Sequence, residues 1–159
     1  MTSVVYPGSF NPITYGHRDI VERALRLFDR VVVAVGTAAD KDPETHLRER
    51  IELCRLALAE FGDRVEVEGF NTLLVDYARS KDTHFVVRGL RTISDFDYES
   101  QMIAMNQTMD PELEYVLLPT SRQWAFLSSS LVREIAVLGG DISEFVHPAV
   151  AAHYQQSNG

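Results

Sequence analysis

Residues 6–17 read YPGSFNPITYGH and join a strand pattern to a helical pattern. A short apolar run, Val4 and Val5, precedes this segment, and apolar residues recur with helical spacing from Ile20 to Phe28 after it. The change of periodicity predicts a connection between a β-strand and an α-helix. Two glycines and two prolines in the connection would fix the path of the backbone and let it approach a ligand closely.

The chemistry available in this connection suits a phosphate group. A helix that begins near Gly16 leaves backbone N–H groups for an anion, Ser9 adds a hydroxyl donor, and His17 can donate from its imidazole. Each residue taken alone also fits a proline-rich turn in which Thr14 caps the helix. The chain lacks the GxGxxG spacing of a dinucleotide-binding loop and the Gly-Lys-Ser/Thr run of a Walker loop.

Length and composition predict a single domain that spans residues 1–159. With 45% hydrophobic residues, the chain has enough apolar material for a sizeable core. No apolar run approaches the ~20 residues that span a bilayer, and the first residues lack the segments of a signal peptide, so we expect a cytoplasmic protein. The net charge of -8 disfavours nucleic acid or an anionic membrane as a partner, because both are bound through extended basic surfaces.

Strand patterns alternate with helical patterns along the whole chain. The run VVVAV at residues 31–35 is typical of a strand buried on both faces, whereas residues 64–68 alternate as an edge strand does. Strands separated by helices form right-handed crossovers, which predicts an α/β fold with a doubly wound, five-stranded parallel sheet. The expected strands cover about residues 2–6, 31–35, 64–68, 84–87 and 114–118, and the expected helices cover about residues 17–29, 46–61, 73–78 and 94–109 and begin again near 128 and 148.

Four segments are expected to meet at one edge of this sheet. Ligands of doubly wound sheets bind at the carboxyl ends of the strands, and each of these segments follows a predicted strand. Their convergence from distant parts of the sequence indicates a binding site more strongly than any single motif does. The segments are residues 7–11, the loop that contains Lys41, residues 88–91 and residues 121–130, and the basic residues placed to converge there are Lys41, Arg88, Arg91 and Arg133.

The segment RGLR at residues 88–91 has two guanidinium groups around a glycine. Guanidinium groups match the geometry of phosphate oxygens, which favours a role in anion binding. The alternative is an exposed turn in which the arginines pair with Asp95, Asp97 or Glu99.

The segment WAFLSSS at residues 124–130 is a second candidate for phosphate binding. Its three serines lie where a helix is expected to begin, and capping of that helix is the simpler explanation for them. In the functional interpretation, hydroxyl and N–H groups hold a triphosphate while Trp124 and Phe126 form the walls of the site.

The spacing of the first loop resembles that of a known superfamily. Gly8-x-Phe10-x-Pro12 followed by Thr14-x-Gly16-His17 is similar to the signature of the nucleotidylyltransferases, whose T/HxGH element holds the phosphates of a nucleoside triphosphate. Over essentially the whole chain, the sequence resembles the bacterial phosphopantetheine adenylyltransferase family. The segments that carry this resemblance are YPGSF (6–10), TYGH (14–17), RGLR (88–91), DFDYE (95–99), QM (101–102), MN (105–106) and LSSS (127–130).

The resemblance implies a Rossmann-like nucleotidylyltransferase fold and a specific reaction. The adenylyl group of ATP would be transferred to 4′-phosphopantetheine, which gives dephospho-coenzyme A and pyrophosphate, a late step of coenzyme A synthesis. The phosphate of the acceptor would attack in line, without a covalent enzyme intermediate. Magnesium would accompany ATP, and the protein would be a homohexamer.

The resemblance also assigns roles to individual residues. Asn11 replaces the aspartate that is usual in the family, which leaves any metal-linked role of that position open, and Ser9 replaces a frequent threonine but keeps the hydroxyl. The implied catalytic residues are His17 and Lys41; the implied ATP-binding residues are Ser9, Phe10, His17, Gly89, Leu90, Arg91, Glu99, Trp124, Ala125, Phe126, Leu127, Ser128, Ser129 and Ser130; the implied phosphopantetheine-binding residues are Ser9, Lys41, Leu74 and Arg88.

Two other functions fit parts of the sequence. A related cytidylyltransferase would keep the phosphate-binding loops and change the contacts to base and acceptor. A non-catalytic nucleotide-binding regulatory module would need neither His17 nor Lys41.

The remaining residues of chemical interest are given structural interpretations. We assign no structural metal site, and we expect Cys54 to be buried and the methionines Met102, Met105 and Met109 to form core or subunit contacts.

Overall fold

The structure is a computed structural model that describes residues 1–37 and 44–158. Lys41 therefore lies outside the described residues. The strands are β1 (Ser3–Gly8), β2 (Arg30–Gly36), β3 (Val65–Phe70), β4 (Phe85–Leu90) and β5 (Glu114–Pro119); the helices are α1 (Tyr15–Leu27), α2 (Glu44–Ala57), α3 (Leu74–Ser80), α4 (Ile93–Met109), α5 (Ser129–Val137) and α6 (Pro148–Asn158), with short 3-10 helices at Ala59–Arg64 and Arg122–Trp124.

The strands form one parallel sheet in the order β3-β2-β1-β4-β5. The chain winds outwards from β1 to β3, then returns to the centre and winds the other way through β4 and β5. The predicted doubly wound sheet of five strands is thus confirmed, with β3 at the edge. The order reverses between β1 and β4, which is where such sheets bind their ligands.

Helices cover both faces of the sheet because apolar side chains alternate between the faces along the central strands. On one face, Val4 and Tyr6 of β1 pack in the larger core, which includes the apolar side of α1 and contributions from α2, α5 and α6. On the other face, Val5 packs with Val86 and with Val75 of α3. The run from Val31 to Val35 in β2 is buried along its whole length, as expected.

The first strand is longer than the sequence suggested, because it includes Pro7 and Gly8. Proline is unusual inside a sheet, since it lacks the N–H of the ladder. Here β1 pairs with β4 only at Val5 and Val86, and the carbonyl of Pro7 accepts a hydrogen bond from the Arg88 side chain. In a β-strand, the N–H and C=O of one residue point to the same side. Because the C=O of Pro7 points towards Arg88 of β4, its missing N–H would also face β4, where the two strands have separated. The pairing of β1 with β2 therefore loses no hydrogen bond.

Several smaller expectations can be compared with the structure. Cys54 is fully buried, as predicted, and burial raises the pKa of its thiol to about 12. Met102, Met105 and Met109 lie on the exposed side of α4 and not in the core. Among the helices of the described residues, none has the length and apolar character needed to cross a membrane.

Candidate active site

A pocket of about 460 Å³ opens at the carboxyl edge of the sheet, where β1 and β4 separate. Segments far apart in sequence form its walls, as expected for residues that follow the strands of a parallel sheet. These segments are the loop after β1, the first turns of α1 and α4, the end of β4, the residues after β5 and the start of α5. The lining residues are Tyr6, Pro7, Gly8, Ser9, Phe10, Thr14, Gly16, His17, Ile20, Arg88, Gly89, Arg91, Ser94, Asp95, Tyr98, Glu99, Thr120, Trp124, Leu127, Ser128, Ser129, Ser130 and Arg133.

His17 is held in one orientation by the start of α1. Thr14 caps this helix, and its hydroxyl accepts the N–H of His17 at 3.4 Å, while its own backbone N–H donates to His17 Nδ1 at 3.0 Å. This reciprocal arrangement is a capping box with histidine in the place of the usual Glu or Gln. An accepting Nδ1 requires that the proton of the neutral imidazole be on Nε2. Within the described residues, Nε2 has no hydrogen-bond partner, so its N–H is available to a ligand.

The surroundings of His17 keep its imidazole neutral. Burial lowers its pKa to about 4, and the positive charges of Arg88 and Arg91 act in the same direction. Its ring also packs against the Phe10 ring, with 4.9 Å between the centroids. At neutral pH, His17 is therefore a hydrogen-bond donor that carries no net charge.

Phe10 supports the site from below and has an unusual backbone conformation. Its φ of 47° is in the left-handed region, and its side chain is 2% exposed. The ring makes an edge contact with Tyr6 at 5.1 Å between centroids. A Cβ on Gly8 would lie 3.0 Å from the Phe10 ring, so a larger residue at position 8 would displace that ring. Phe10 can therefore offer a ligand its backbone, while its side chain fixes the positions of its neighbours.

Arg88 is oriented by two partners across the pocket floor. Its Nε and Nη2 atoms both lie 2.8 Å from Oε1 of Glu99, which is 5% exposed, and its Nη1 donates to the carbonyl of Pro7. These contacts join β4 to α4 and to β1. The pairing with Glu99 that the sequence offered as an alternative is therefore present, and it occurs inside the pocket.

Arg91 is held in a similar way near the mouth of the pocket. Its Nη1 donates to the carbonyl of Leu127 at 3.0 Å, and its Nε lies 3.4 Å from Oδ2 of Asp95. The same carboxylate accepts the backbone N–H of Arg91 at 2.9 Å. Both arginines of the RGLR segment thus combine a carboxylate partner with a position on the pocket wall, and the two interpretations of this segment are compatible.

The start of α5 is fastened to the first loop. Ser128 caps the helix by accepting the N–H of Leu131 at 3.2 Å, as the simpler interpretation of the serines predicted. Ser129 Oγ donates to the carbonyl of Pro12 at 2.8 Å, and Arg133 Nη1 donates to the carbonyl of Asn11. The two phosphate-binding candidates of the sequence therefore form one continuous surface.

Most of the predicted site residues meet in this pocket. Leu74 lies elsewhere, at the start of α3, where it packs against the smaller core. Lys41 is outside the described residues. The predicted residues that line the pocket are Ser9, Phe10, His17, Arg88, Gly89, Arg91, Glu99, Trp124, Leu127, Ser128, Ser129 and Ser130, whereas Leu90, Ala125 and Phe126 are not among the lining residues.

The structure adds pocket residues that the sequence did not single out. Thr120 follows β5, so the rule that places ligands at strand ends would have found it. Ser94 lies in the first turn of α4, where no local pattern marks it; Tyr98 follows one turn later, within the DFDYE segment of the family resemblance, which assigned it no role. Arg50, on α2, touches the loop from behind through the carbonyl of Ser9.

The donors of the pocket suit an anionic ligand better than a directly bound metal. Its carboxylates, Glu99 and Asp95, are both paired with arginines. Within residues 1–37 and 44–158, no group of three or more His, Cys, Asp or Glu side chains is arranged to hold a metal ion.

The chain is similar to known proteins over nearly its whole length. The model of the cytidylyltransferase-like family matches residues 5–135, which include the whole first loop and the serines of α5. The phosphopantetheine adenylyltransferase of Nitrosomonas eutropha is 48% identical over 156 residues, which cover 98% of this chain and 94% of that protein. A crystal structure from Vibrio parahaemolyticus, provisionally named nicotinate-nucleotide adenylyltransferase, superposes with a TM-score of 0.70 at 17% identity, covering 99% of this chain and 93% of that one, and shows the shared fold. The chain belongs to the cytidylyltransferase-like family and, within it, to the phosphopantetheine adenylyltransferases.

Proposed function

We propose that this protein transfers the adenylyl group of ATP to 4′-phosphopantetheine, with release of pyrophosphate. The observation that carries the proposal is the neutral His17, whose Nε2–H is available in a pocket walled by Arg88 and Arg91, in a chain nearly half identical to an enzyme of that name. The first loop, the arginines and the start of α5 together offer the donors that a triphosphate needs.

The reaction requires alignment more than acid–base chemistry. A phosphate monoester is already a nucleophile, so the acceptor phosphate can attack the α-phosphorus of ATP in line while pyrophosphate leaves on the opposite side. No covalent intermediate and no side-chain base are needed. The catalytic contribution of the protein is then to hold both substrates and to donate to oxygens whose negative charge grows in the transition state.

His17 and Lys41 are the residues proposed to stabilise that charge. The imidazole of His17 donates through Nε2–H and needs no protonation to do so, because its Nδ1 is already occupied by the Thr14 N–H. Lys41, whose place in the sequence is between β2 and α2, would add a full positive charge. Arg88 is proposed to hold the acceptor phosphate, and its bond to Glu99 keeps the guanidinium in place for that role.

Arg133 is a candidate to bind the leaving pyrophosphate. It lines the pocket, and its hydrogen bonds within the described residues go to neutral oxygens, the carbonyl of Asn11 and Ser130 Oγ. Arg88 and Arg91 are each paired with a carboxylate, whereas Arg133 has no such partner in the described part of the chain. The uncharged Asn11 leaves its positive charge available to a phosphate.

We propose that Mg²⁺ enters with ATP, held by the phosphate oxygens. The pocket fits this arrangement, because Ser9 and Ser130 supply neutral oxygens while the nearby carboxylates are engaged by arginines. The ion would neutralise part of the charge on the leaving pyrophosphate.

We also propose that copies of this chain associate, as the family resemblance to a homohexamer suggests. Helix α4 buries two polar residues, Glu99 and Asn106, and exposes an apolar side formed by Met102, Met105 and Met109, which follow one another at helical spacing. A contiguous apolar surface of this kind is typical of a protein contact. A second copy of the chain is the proposed occupant, and a cytoplasmic location is proposed with it.

The reaction is tested by pyrophosphate release in the presence of Mg²⁺. ATP and CTP are compared, each with and without 4′-phosphopantetheine. Release that requires ATP and the acceptor together supports the proposal. Preference for CTP would favour a cytidylyltransferase, and ATP binding without any release would favour a regulatory module.

A further inference from the structure

Arg50 connects the end of β2 to Ser9, the first residue beyond β1, which lines the pocket. It belongs to α2, and its side chain is almost completely buried. Its Nη1 donates to the carbonyl of Gly36, the last residue of β2, at 3.0 Å, and to the carbonyl of Ser9, just beyond β1. The guanidinium thereby ties the ends of both strands to α2.

The contact with Ser9 also sets the direction of a peptide group that lines the pocket. The Ser9–Phe10 peptide is planar and trans, so its N–H points opposite to its C=O. Because the carbonyl oxygen of Ser9 points at Arg50, the N–H of Phe10 points away from α2. This N–H has no hydrogen-bond partner within the described residues, and both Ser9 and Phe10 line the pocket.

Local preferences of the chain do not explain this orientation. Phe10 has φ of 47°, which non-glycine residues rarely adopt, so the surroundings must hold it there. If the peptide rotated by half a turn, a carbonyl oxygen would replace the N–H that faces the ligand. An oxygen would repel phosphate, whereas the N–H binds it.

We propose that Arg50 is a positioning residue for ATP: it turns the Ser9–Phe10 peptide so that the Phe10 N–H donates to a phosphate of the nucleotide. Arg50 itself touches no substrate and acts through the carbonyl of Ser9. The inference rests on the proposed ATP-binding function, and it assigns a role to a residue outside the pocket wall.

The test compares Arg50→Met, Arg50→Lys and a control, Arg55→Met, in the full chain. Arg55 lies on the same helix and also donates to a strand carbonyl, that of Val67 at 3.1 Å, but Val67, unlike Ser9, does not line the pocket. Methionine keeps an unbranched aliphatic side chain and removes both the charge and the donors. Lysine keeps the charge but is one bond too short to reach both carbonyls without a shift of α2.

Two measurements decide the outcome. The Phe10 amide signal, followed after labelling the eight phenylalanines with ¹⁵N, reports the orientation of the peptide in the ligand-free protein. Titration calorimetry with ATP reports its consequence for binding. We expect Arg50→Met to move the Phe10 signal and to weaken ATP binding about tenfold to a hundredfold, with an intermediate effect for Arg50→Lys and no effect for Arg55→Met.

The inference is overturned if either folded Arg50 variant keeps the parent's Phe10 signal and ATP affinity, or if Arg55→Met weakens ATP binding equally. Should Arg50→Met fail to fold, Arg50→Lys decides the question with the same two measurements. Because the amide signal is recorded without ligand, it decides the positioning role even if the parent protein transfers no adenylyl group. A failure of the proposed reaction is therefore distinguishable from a failure of this inference.

Discussion

The Nδ1 atom of His17 accepts the backbone N–H of Thr14 at 3.0 Å, and this hydrogen bond determines what the histidine can do. It leaves the imidazole proton on Nε2, while burial and two arginines keep the ring neutral. One side chain thus completes a helix cap and presents a donor to the pocket. The two tasks use different nitrogen atoms, so suitable substitutions can separate them.

His17→Ala should reduce kcat by about two to three orders of magnitude and change the affinity for ATP much less, because the lost donor acts mainly on charge in the transition state. Steady-state kinetics and calorimetry measure the two effects. Equal losses in kcat and in ATP affinity would contradict the transition-state role.

Two further substitutions separate the donor from the cap. His17→Asn offers an oxygen near the position of Nδ1 and should recover part of the helix cap without restoring kcat. His17→Gln places an amide N–H nearer to the position of Nε2 and should recover more of kcat. If the asparagine variant were the more active of the two, the assignment of Nε2 as the donor would be wrong.

The low pKa of His17 predicts a loss of stability in acid. Its pKa is about 4 in the folded protein and about 6.5 when unperturbed, so between these values the unfolded state binds more protons. The free energy of unfolding should therefore decrease as the pH falls from about 6.5 to about 4. Urea unfolding across this range should show a smaller decrease for His17→Asn, and identical slopes for both proteins would refute the prediction.

Glu99→Ala should destabilise the ligand-free protein by about 1–3 kcal/mol, because it removes the carboxylate partner of a largely buried Arg88. A bound phosphate can replace that carboxylate, so 4′-phosphopantetheine should raise the Tm of the variant by more than that of the parent. Asp97→Ala serves as the control, since Asp97 is exposed on the same helix. Equal ligand-induced shifts in variant and parent would show that Arg88 does not hold the phosphate.

Met105→Glu should weaken the proposed self-association, because it places a charge on the exposed apolar side of α4. Sedimentation velocity at several protein concentrations should show smaller species than the parent forms. Leu27→Glu alters a similarly exposed apolar residue, on α1, and should leave the assembly intact. A Met105→Glu protein that sediments like the parent would exclude this side of α4 as the contact.

The order and type of the elements could be predicted because they depend on local patterns. The apolar run from Val31 to Val35 and the alternation at residues 64–68 distinguished a central strand from an edge strand, and the structure has β2 and β3 in those places. The strand-end rule then placed the first loop, the RGLR segment and the serines of α5 together. These conclusions need only the chain's periodicity and the general behaviour of parallel sheets.

The partners of the charged side chains could not be predicted uniquely, because residues that are far apart in sequence come into contact only in the folded protein. Arg88 meets Glu99, and Arg50 meets Ser9, across 11 and 41 positions of the sequence. The low pKa of His17 likewise follows from burial and from Arg88 and Arg91, which lie more than 70 positions further along the chain. The sequence of this protein therefore specifies which segments form the site, whereas packing in three dimensions settles which atoms remain free to bind a substrate, because hydrogen bonds and desolvation are determined within a few ångströms.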